Sequence, residues 1–178
     1  MKGENKMRRT GKTGMVAQYG ILIALAFLLS YLEAMFPLPV PVPGMKLGLA
    51  NLVTIVGLYT VGIKGTVMVS VVRVILAGFT FGNLFSMWYS MAGCILSLVC
   101  MIGCRRLKRF GILGVSAIGG VAHNVGQLCM AAFLVEHTAV FYYLPVLLVA
   151  GMAAGCVIGL TGGMIISRIG DVLRRYGD

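Results

Sequence analysis

Charged residues are scarce in this chain, and acidic residues are the scarcest. Only 11% of its 178 residues are charged, whereas an average soluble domain has about 25%. Hydrophobic residues make up 59%, and the mean hydropathy is +0.96. Such a chain has too few polar side chains to cover a water-exposed surface. The composition therefore excludes a soluble or disordered protein and indicates a single integral membrane domain.

The shortage of acids also excludes several kinds of chemistry. The five acidic residues are Glu4, Glu33, Glu136, Asp171 and Asp178. No paired carboxylates and no Ser/His/acid set can be assembled, so we predict no catalytic residue. The chain has no G-x-x-x-x-G-K-[ST] loop and does not hydrolyse ATP itself. Cys100 and Cys104 share a helix face without a nearby histidine or carboxylate, so we predict no metal and no cofactor.

Six apolar stretches approach the roughly 20 residues with which an α-helix crosses a bilayer. They cover residues 15–36, 47–62, 65–81, 84–103, 113–135 and 142–167. Their apolar runs do not alternate with polar residues, which favours helices over strands. We therefore predict an all-α integral membrane protein with a six-helix domain over residues 15–168. Basic tails are expected at residues 1–14 and 169–178.

The basic residues give this layout an orientation. With the N-terminus in the cytoplasm, thirteen of the fifteen Lys and Arg residues fall in cytoplasmic segments, as in most multi-pass proteins. Both termini are therefore predicted to be cytoplasmic, in a cell-membrane protein. Only Lys46, on the outer side, and Arg73, within the third span, depart from this pattern. The excess charge flanks apolar spans, so it does not indicate a nucleic-acid partner.

Small residues recur at every fourth position in two spans, which predicts close helix packing. The last span has Gly151, Gly155, Gly159 and Gly163, and the first has Ala26, Ser30 and Ala34. Either stripe packs inside the protein or against a partner helix. Between the first two spans, residues 37–44 contain four prolines. This stiff segment is either a connector or a cap over a site on the outer face.

Polar residues inside a membrane are costly and by default indicate function. Arg73 must find an acceptor, and it either pairs with Glu33 or faces a ligand. His123, Asn124 and Gln127 share one helix face and form either a clamp between helices or a ligand contact. Lys46, Asn51, Trp88 and Tyr89 lie at the outer ends of spans. Trp88 and Tyr89 point in different directions, so at most one faces a pocket. Together these residues predict a ligand pocket that opens outward.

Several motifs resemble one membrane family. They are KLGLAN at residues 46–51, Arg73, the YS-AG pattern at residues 89–93 and the HN-GQ pattern at residues 123–127. The chain resembles the heptaprenyl diphosphate synthase component I family, which is also called the Gx transporter family. That family is similar to the S components of energy-coupling-factor (ECF) transporters. Those are six-helix proteins whose pocket lies under the first outer loop, and small residues of their first helix meet a coupling subunit.

The resemblance implies two functions. The first is substrate binding in an ECF-type uptake transporter, with a small anionic or carbonyl-bearing ligand, membrane lipid, a coupling subunit and ATPases as partners. The second is a non-catalytic membrane subunit of a heptaprenyl diphosphate synthase. Synthesis of prenyl diphosphates uses aspartate-rich motifs to hold Mg²⁺. This chain has only two aspartates, both in the C-terminal tail, so it is not the catalyst by itself.

Overall fold

The structure is a computed structural model that describes residues 2–36, 46, 48–107 and 109–176. Side chains are described for residues 14–36, 46, 48–107 and 109–169. The predicted proline-rich connector or cap at residues 37–44 lies outside the described residues. The helices are α1 (Lys2–Met35), α2 (Asn51–Thr60), α3 (Gly62–Thr80), α4 (Leu84–Leu107), α5 (Ile112–Val135) and α6 (Leu144–Tyr176), with a short 3₁₀ helix (Thr138–Tyr143) before α6.

The predicted all-helical membrane bundle is confirmed. Five helices are long and apolar enough to cross a membrane. The prediction for the second span was too long, since α2 has only 10 residues. At about 1.5 Å per residue it covers some 15 Å, or half of a hydrocarbon core about 30 Å thick. The chain begins α2 late because residues 48–50 form a turn, in which Gly48 has a φ of 86°.

The terminal segments continue the first and last spans as helix. Helix α1 starts at Lys2, inside the segment predicted as a basic tail at residues 1–14, and α6 reaches Tyr176. The apolar part of α1 begins at Gly14, and that of α6 ends at Ile169. The helices therefore extend beyond the apolar part of the chain at both ends.

Helix α5 packs along both α4 and α6, and α1 packs against α3 and α2. The glycine stripe of α6 explains the close contact with α5. A Cβ atom on Gly155 would lie 2.7 Å from the Cα atom of Ala117, and one on Gly151 would lie 2.8 Å from the carbonyl oxygen of Gly120. Gly163 has no neighbour closer than 4.0 Å. Gly151 and Gly155 thus serve packing within the chain.

The helices alternate in direction, which defines two ends of the bundle. Gln18, Thr60 and Ile169 line one cleft, so the start of α1, the end of α2 and the apolar end of α6 lie together. We call this the termini end. At the other end, Glu33 of α1 contacts the backbone of Gly48 just before α2. We call this the site end.

Candidate functional site

The site end contains a cluster of polar side chains contributed by four helices and the segment before α2. Lys46 is half-buried, and the other members are buried. We call the following residues the polar cluster: Ser30, Glu33, Lys46, Asn51, Arg73, His123, Asn124 and Gln127. The structure thus brings together most of the residues predicted for the site.

The backbone amides of Lys46, Gly48 and Leu49 are held by side chains from two helices. The Glu33 carboxylate, on α1, accepts hydrogen bonds from the amides of Gly48 and Leu49, the second at 3.2 Å. The Gln127 side chain, on α5, accepts one from the Lys46 amide at 2.9 Å. Gln127 is held in turn by its amide nitrogen, which lies 2.8 Å from Nε2 of His123. The segment before α2 is therefore fixed between α1 and α5.

Gly48 allows this segment to lie close to α5. Its φ of 86° is in a region that side-chain-bearing residues rarely adopt. A Cβ atom there would also lie 2.9 Å from Cδ2 of His123 and 3.0 Å from Nδ2 of Asn51. The glycine of the KLGLAN motif is thus needed both for the positive φ and for the close contact with His123 and Asn51.

Arg73 is a buried cation of the polar cluster whose hydrogen bonds are incomplete. It is only 3% exposed, and its Nη1 donates a hydrogen bond to Ser30 Oγ at 3.1 Å. Its Nε and Nη2 atoms are buried without a partner. Among the described residues, no hydrogen bond joins Arg73 to Glu33, whose one bonded oxygen is used by backbone amides. The Glu33–Arg73 pair considered from the sequence is therefore not formed.

Arginine does not lose its proton in a protein. A buried guanidinium with two unpaired nitrogens is therefore energetically costly, because each N–H has lost water without gaining an acceptor. Such a residue indicates that a hydrogen-bond acceptor belongs beside it.

Lys46 and Arg73 line the same cleft, together with Ser86 and Ser90 of α4. The cleft contains about 200 Å³ of atom-free space, none of it wide enough for a water-sized sphere. The ammonium of Lys46 lies 5.7 Å from the centre of the Phe81 ring, a cation–π contact. Burial lowers the pKa of Lys46 from its ordinary value, Glu33 opposes this change, and Arg73 adds to it.

Other buried polar atoms in the cluster also lack partners. They are Oε2 of Glu33, both side-chain polar atoms of Asn51, Nδ1 of His123 and Oδ1 of Asn124. The Asn124 amide nitrogen donates to the carbonyl of Leu147 at 2.8 Å, so this residue also joins α5 to α6. Buried polar groups are normally hydrogen-bonded, and the unpaired atoms of the cluster are therefore further candidates for ligand contacts.

The two aromatic candidates do not join the cluster. Trp88 is 52% exposed. Tyr89 is buried, but it packs in an apolar group with Leu128, Val140 and Leu147. The structure does place the two rings in different environments, which follows from their adjacent positions on α4.

The small-residue stripe of α1 mostly faces the protein interior. Ala26 and Ser30 are buried, and Ala34 is exposed. The small-residue pattern predicts a packing role for Ser30 and gives no sign of its bond to Arg73. Phe81 and Ser86 are not among the predicted site residues. Ser86 and Ser90 are four residues apart and share one face of α4, a signal that was available in the sequence.

A sequence model of the family described as heptaprenyl diphosphate synthase component I matches residues 22–165. The chain belongs to this family. The match covers all of α2 to α5 and most of the apolar parts of α1 and α6, and it confirms the predicted family. Curated proteins and solved structures contain no significant match to the chain. Among the described side chains, no group of three His, Cys, Asp or Glu residues is arranged to hold a metal ion.

Proposed function

We propose that this protein is the substrate-binding membrane subunit of an ECF-type uptake transporter. Its ligand is a small molecule with an anionic or carbonyl group, of the vitamin, quinone or prenyl-precursor class. The observation that carries this proposal is Arg73, which lines a cleft with Lys46 and has two buried nitrogens without partners. An acceptor group on the ligand would complete these bonds.

The charges of the cluster support an anionic ligand. Two cations, Lys46 and Arg73, line the cleft, and the one carboxylate of the cluster, Glu33, already accepts two backbone hydrogen bonds. A guanidinium offers parallel N–H groups that match a carboxylate or phosphate. Within a low-dielectric site such a pair is stronger than in water.

The cleft is too narrow to hold a small molecule as it stands. Small-molecule pockets usually measure about 300–1,000 Å³, whereas no part of this cleft is wide enough for a water-sized sphere. A ligand of vitamin size therefore requires the cluster to open. We expect Lys46, Gly48 and Leu49 to move, because side-chain hydrogen bonds hold their amides. Asn51 and Ser90 then supply additional polar contacts.

Energy for uptake must come from other subunits, because the chain lacks an ATP-binding loop. We propose that ATPases act through a transmembrane coupling subunit. In this arrangement the site end faces outward and the basic termini end faces the cytoplasm, as the positive-inside rule expects. The ligand would therefore enter from the outer side, close to the segment before α2.

The family name favours a second candidate, a non-catalytic subunit that anchors a heptaprenyl diphosphate synthase to the membrane. In that case the bases around Arg105 would contact the soluble enzyme. The name alone supports this function. It does not account for a buried, partly unpaired arginine at the opposite end of the bundle.

Affinity purification from native membranes separates the two functions. The tagged protein is extracted in mild detergent, and its partners are identified by mass spectrometry against an unrelated multi-pass protein with the same tag. We expect a coupling subunit and ATPases at constant stoichiometry. A prenyl diphosphate synthase subunit in their place would reject transport and support the anchor.

A further inference from the structure

A second cavity lies at the termini end, away from the polar cluster. It has a volume of about 390 Å³ and lies between α1, α2 and α6. Its walls are mostly apolar, with Ile21, Leu22, Val56 and Ile166 among the lining residues. Gln18, Tyr59 and Thr60 add polar atoms. The proposed transport function does not use this cleft.

The position of the cleft matches the boundary between lipid tails and headgroups. Gln18 is close to the start of the apolar part of α1, which begins at Gly14. Ile169 is the last residue of the apolar part of α6. The cleft therefore begins at the edge of the hydrocarbon region, where a lipid has its glycerol and phosphate, and it continues along apolar side chains.

Basic residues lie at the same end of the bundle as the cleft. The Arg105 guanidinium lies 4.8 Å from the centre of the Tyr59 ring, and Tyr59 is part of the cleft wall. Lys64 and Arg168 are exposed at the same end. The two carboxylates among the described side chains, Glu33 and Glu136, both belong to the site end. The side chains described at this end therefore include bases and no carboxylate, whereas the side chains of Glu4 in α1 and Asp171 in α6 lie outside those described.

We propose that the cleft binds an acyl chain of an anionic phospholipid, whose phosphate is held by Arg105. The apolar walls bind the acyl chain, and the Tyr59 ring orients the Arg105 guanidinium. Because a base at a membrane surface contributes about 1 kcal/mol to the attraction of anionic lipid, Arg105 should favour an anionic over a zwitterionic headgroup by about fivefold. This site is independent of the proposed uptake function.

Native mass spectrometry in detergent tests the proposal. The purified protein is mixed with equal amounts of phosphatidylglycerol and phosphatidylcholine that have identical acyl chains. We expect about fivefold more phosphatidylglycerol on the wild type. Arg105→Gln should remove this preference, whereas Arg106→Gln, which changes an exposed base on the same helix, should retain it.

A second variant tests the acyl-chain part of the site. Thr60 is exposed and lines the cleft, so Thr60→Trp should fill the cavity and reduce the binding of both lipids. Ile21→Trp, at a side chain that is 68% exposed, is the substitute if Thr60→Trp is not monodisperse on size exclusion.

Three results would overturn the proposal. The first is equal retention of the two lipids by the wild type. The second is an equal loss of preference in Arg105→Gln and Arg106→Gln, which would indicate diffuse surface charge. The third is displacement of phosphatidylglycerol by equimolar farnesyl diphosphate, which would assign the cleft to a prenyl diphosphate.

Discussion

Replacing Gly48 with alanine tests how the segment before α2 forms the site. The change adds one methyl group at a residue whose φ is 86°. That methyl group would lie 2.9 Å from the His123 ring and 3.0 Å from the Asn51 amide. Both neighbours are almost fully buried, so neither can move away without disturbing the packing around it.

The free-energy cost of Gly48→Ala has two parts, backbone strain and crowding. A left-handed backbone conformation costs a residue other than glycine about 1–2 kcal/mol. Crowding in a well-packed interior adds about 1–3 kcal/mol. Gly48→Ala should therefore lower the free energy of unfolding by about 2–5 kcal/mol. It should also weaken ligand retention, because it pushes the Lys46 segment away from α5.

Gly62→Ala is the matched control for the backbone part. Gly62 has a similar φ of 81°, but a Cβ atom there would meet nothing within 4 Å. The free energy of unfolding of this variant should fall by only about 1–2 kcal/mol, and the variant should still bind the ligand. Reversible unfolding in mixed micelles measures both variants against the wild type. Equal losses in the two would refute the close contact between Gly48 and His123.

Three other changes test different parts of the molecule. Gly155→Ala should lower the free energy of unfolding by about 1–3 kcal/mol because it overpacks the contact with α5, whereas Gly163→Ala, with no neighbour closer than 4.0 Å, should be neutral or slightly stabilising. Equal effects in micelle unfolding would contradict the observed α5–α6 packing. Phospholipids with brominated acyl chains should quench the fluorescence of Trp88, the chain's single tryptophan, since it is 52% exposed; an unquenched signal would mean that the ring is shielded. Burial lowers the pKa of Lys46 from 10.5, so Lys46 loses its positive charge at a lower pH than an exposed lysine. Retention of an anionic ligand should therefore fall as the pH rises toward 10.5, and Lys46→Arg should remove this dependence because arginine stays charged. Constant retention by the wild type over this range would show that Lys46 does not contact the ligand.

The length of the apolar runs was sufficient to predict the helical bundle, because a membrane forces the backbone to satisfy its own hydrogen bonds. The length of the apolar runs was not sufficient to predict where α2 begins. Residues 47–50 are as apolar as the helix that follows, but the amides of Gly48 and Leu49 bond to Glu33 on another helix. Such a long-range contact leaves no periodic signal in the sequence.

The polar cluster could be predicted as a group, because intramembrane polar residues seek one another. The hydrogen-bond partner of each residue could not be predicted. Glu33 is the only carboxylate deep in a predicted span, which suggested a pair with Arg73, yet backbone amides compete for it. Ser30 is the partner that Arg73 finds instead. Which acceptor an arginine reaches depends on helix rotation, and sequence spacing does not determine that rotation between helices.

The sequence also does not determine which of two neighbouring aromatic residues is buried. Adjacent positions on a helix point about 100° apart, so the sequence predicts that Trp88 and Tyr89 have different surroundings. It does not say which residue faces inward. Packing of α4 against α5 makes Tyr89 the buried one, and Trp88 stays on the outer surface.

The central claim is that the unpaired nitrogens of Arg73 belong to a ligand. Native mass spectrometry of the protein purified from its own membranes tests this most directly, with Arg73→Gln beside it and Arg106→Gln as a control at the other end of the bundle. We expect one small molecule of constant mass on the wild type and on Arg106→Gln, and none on a folded Arg73→Gln. A wild type that never carries such a molecule, or an Arg73→Gln variant that retains it, would contradict the claim.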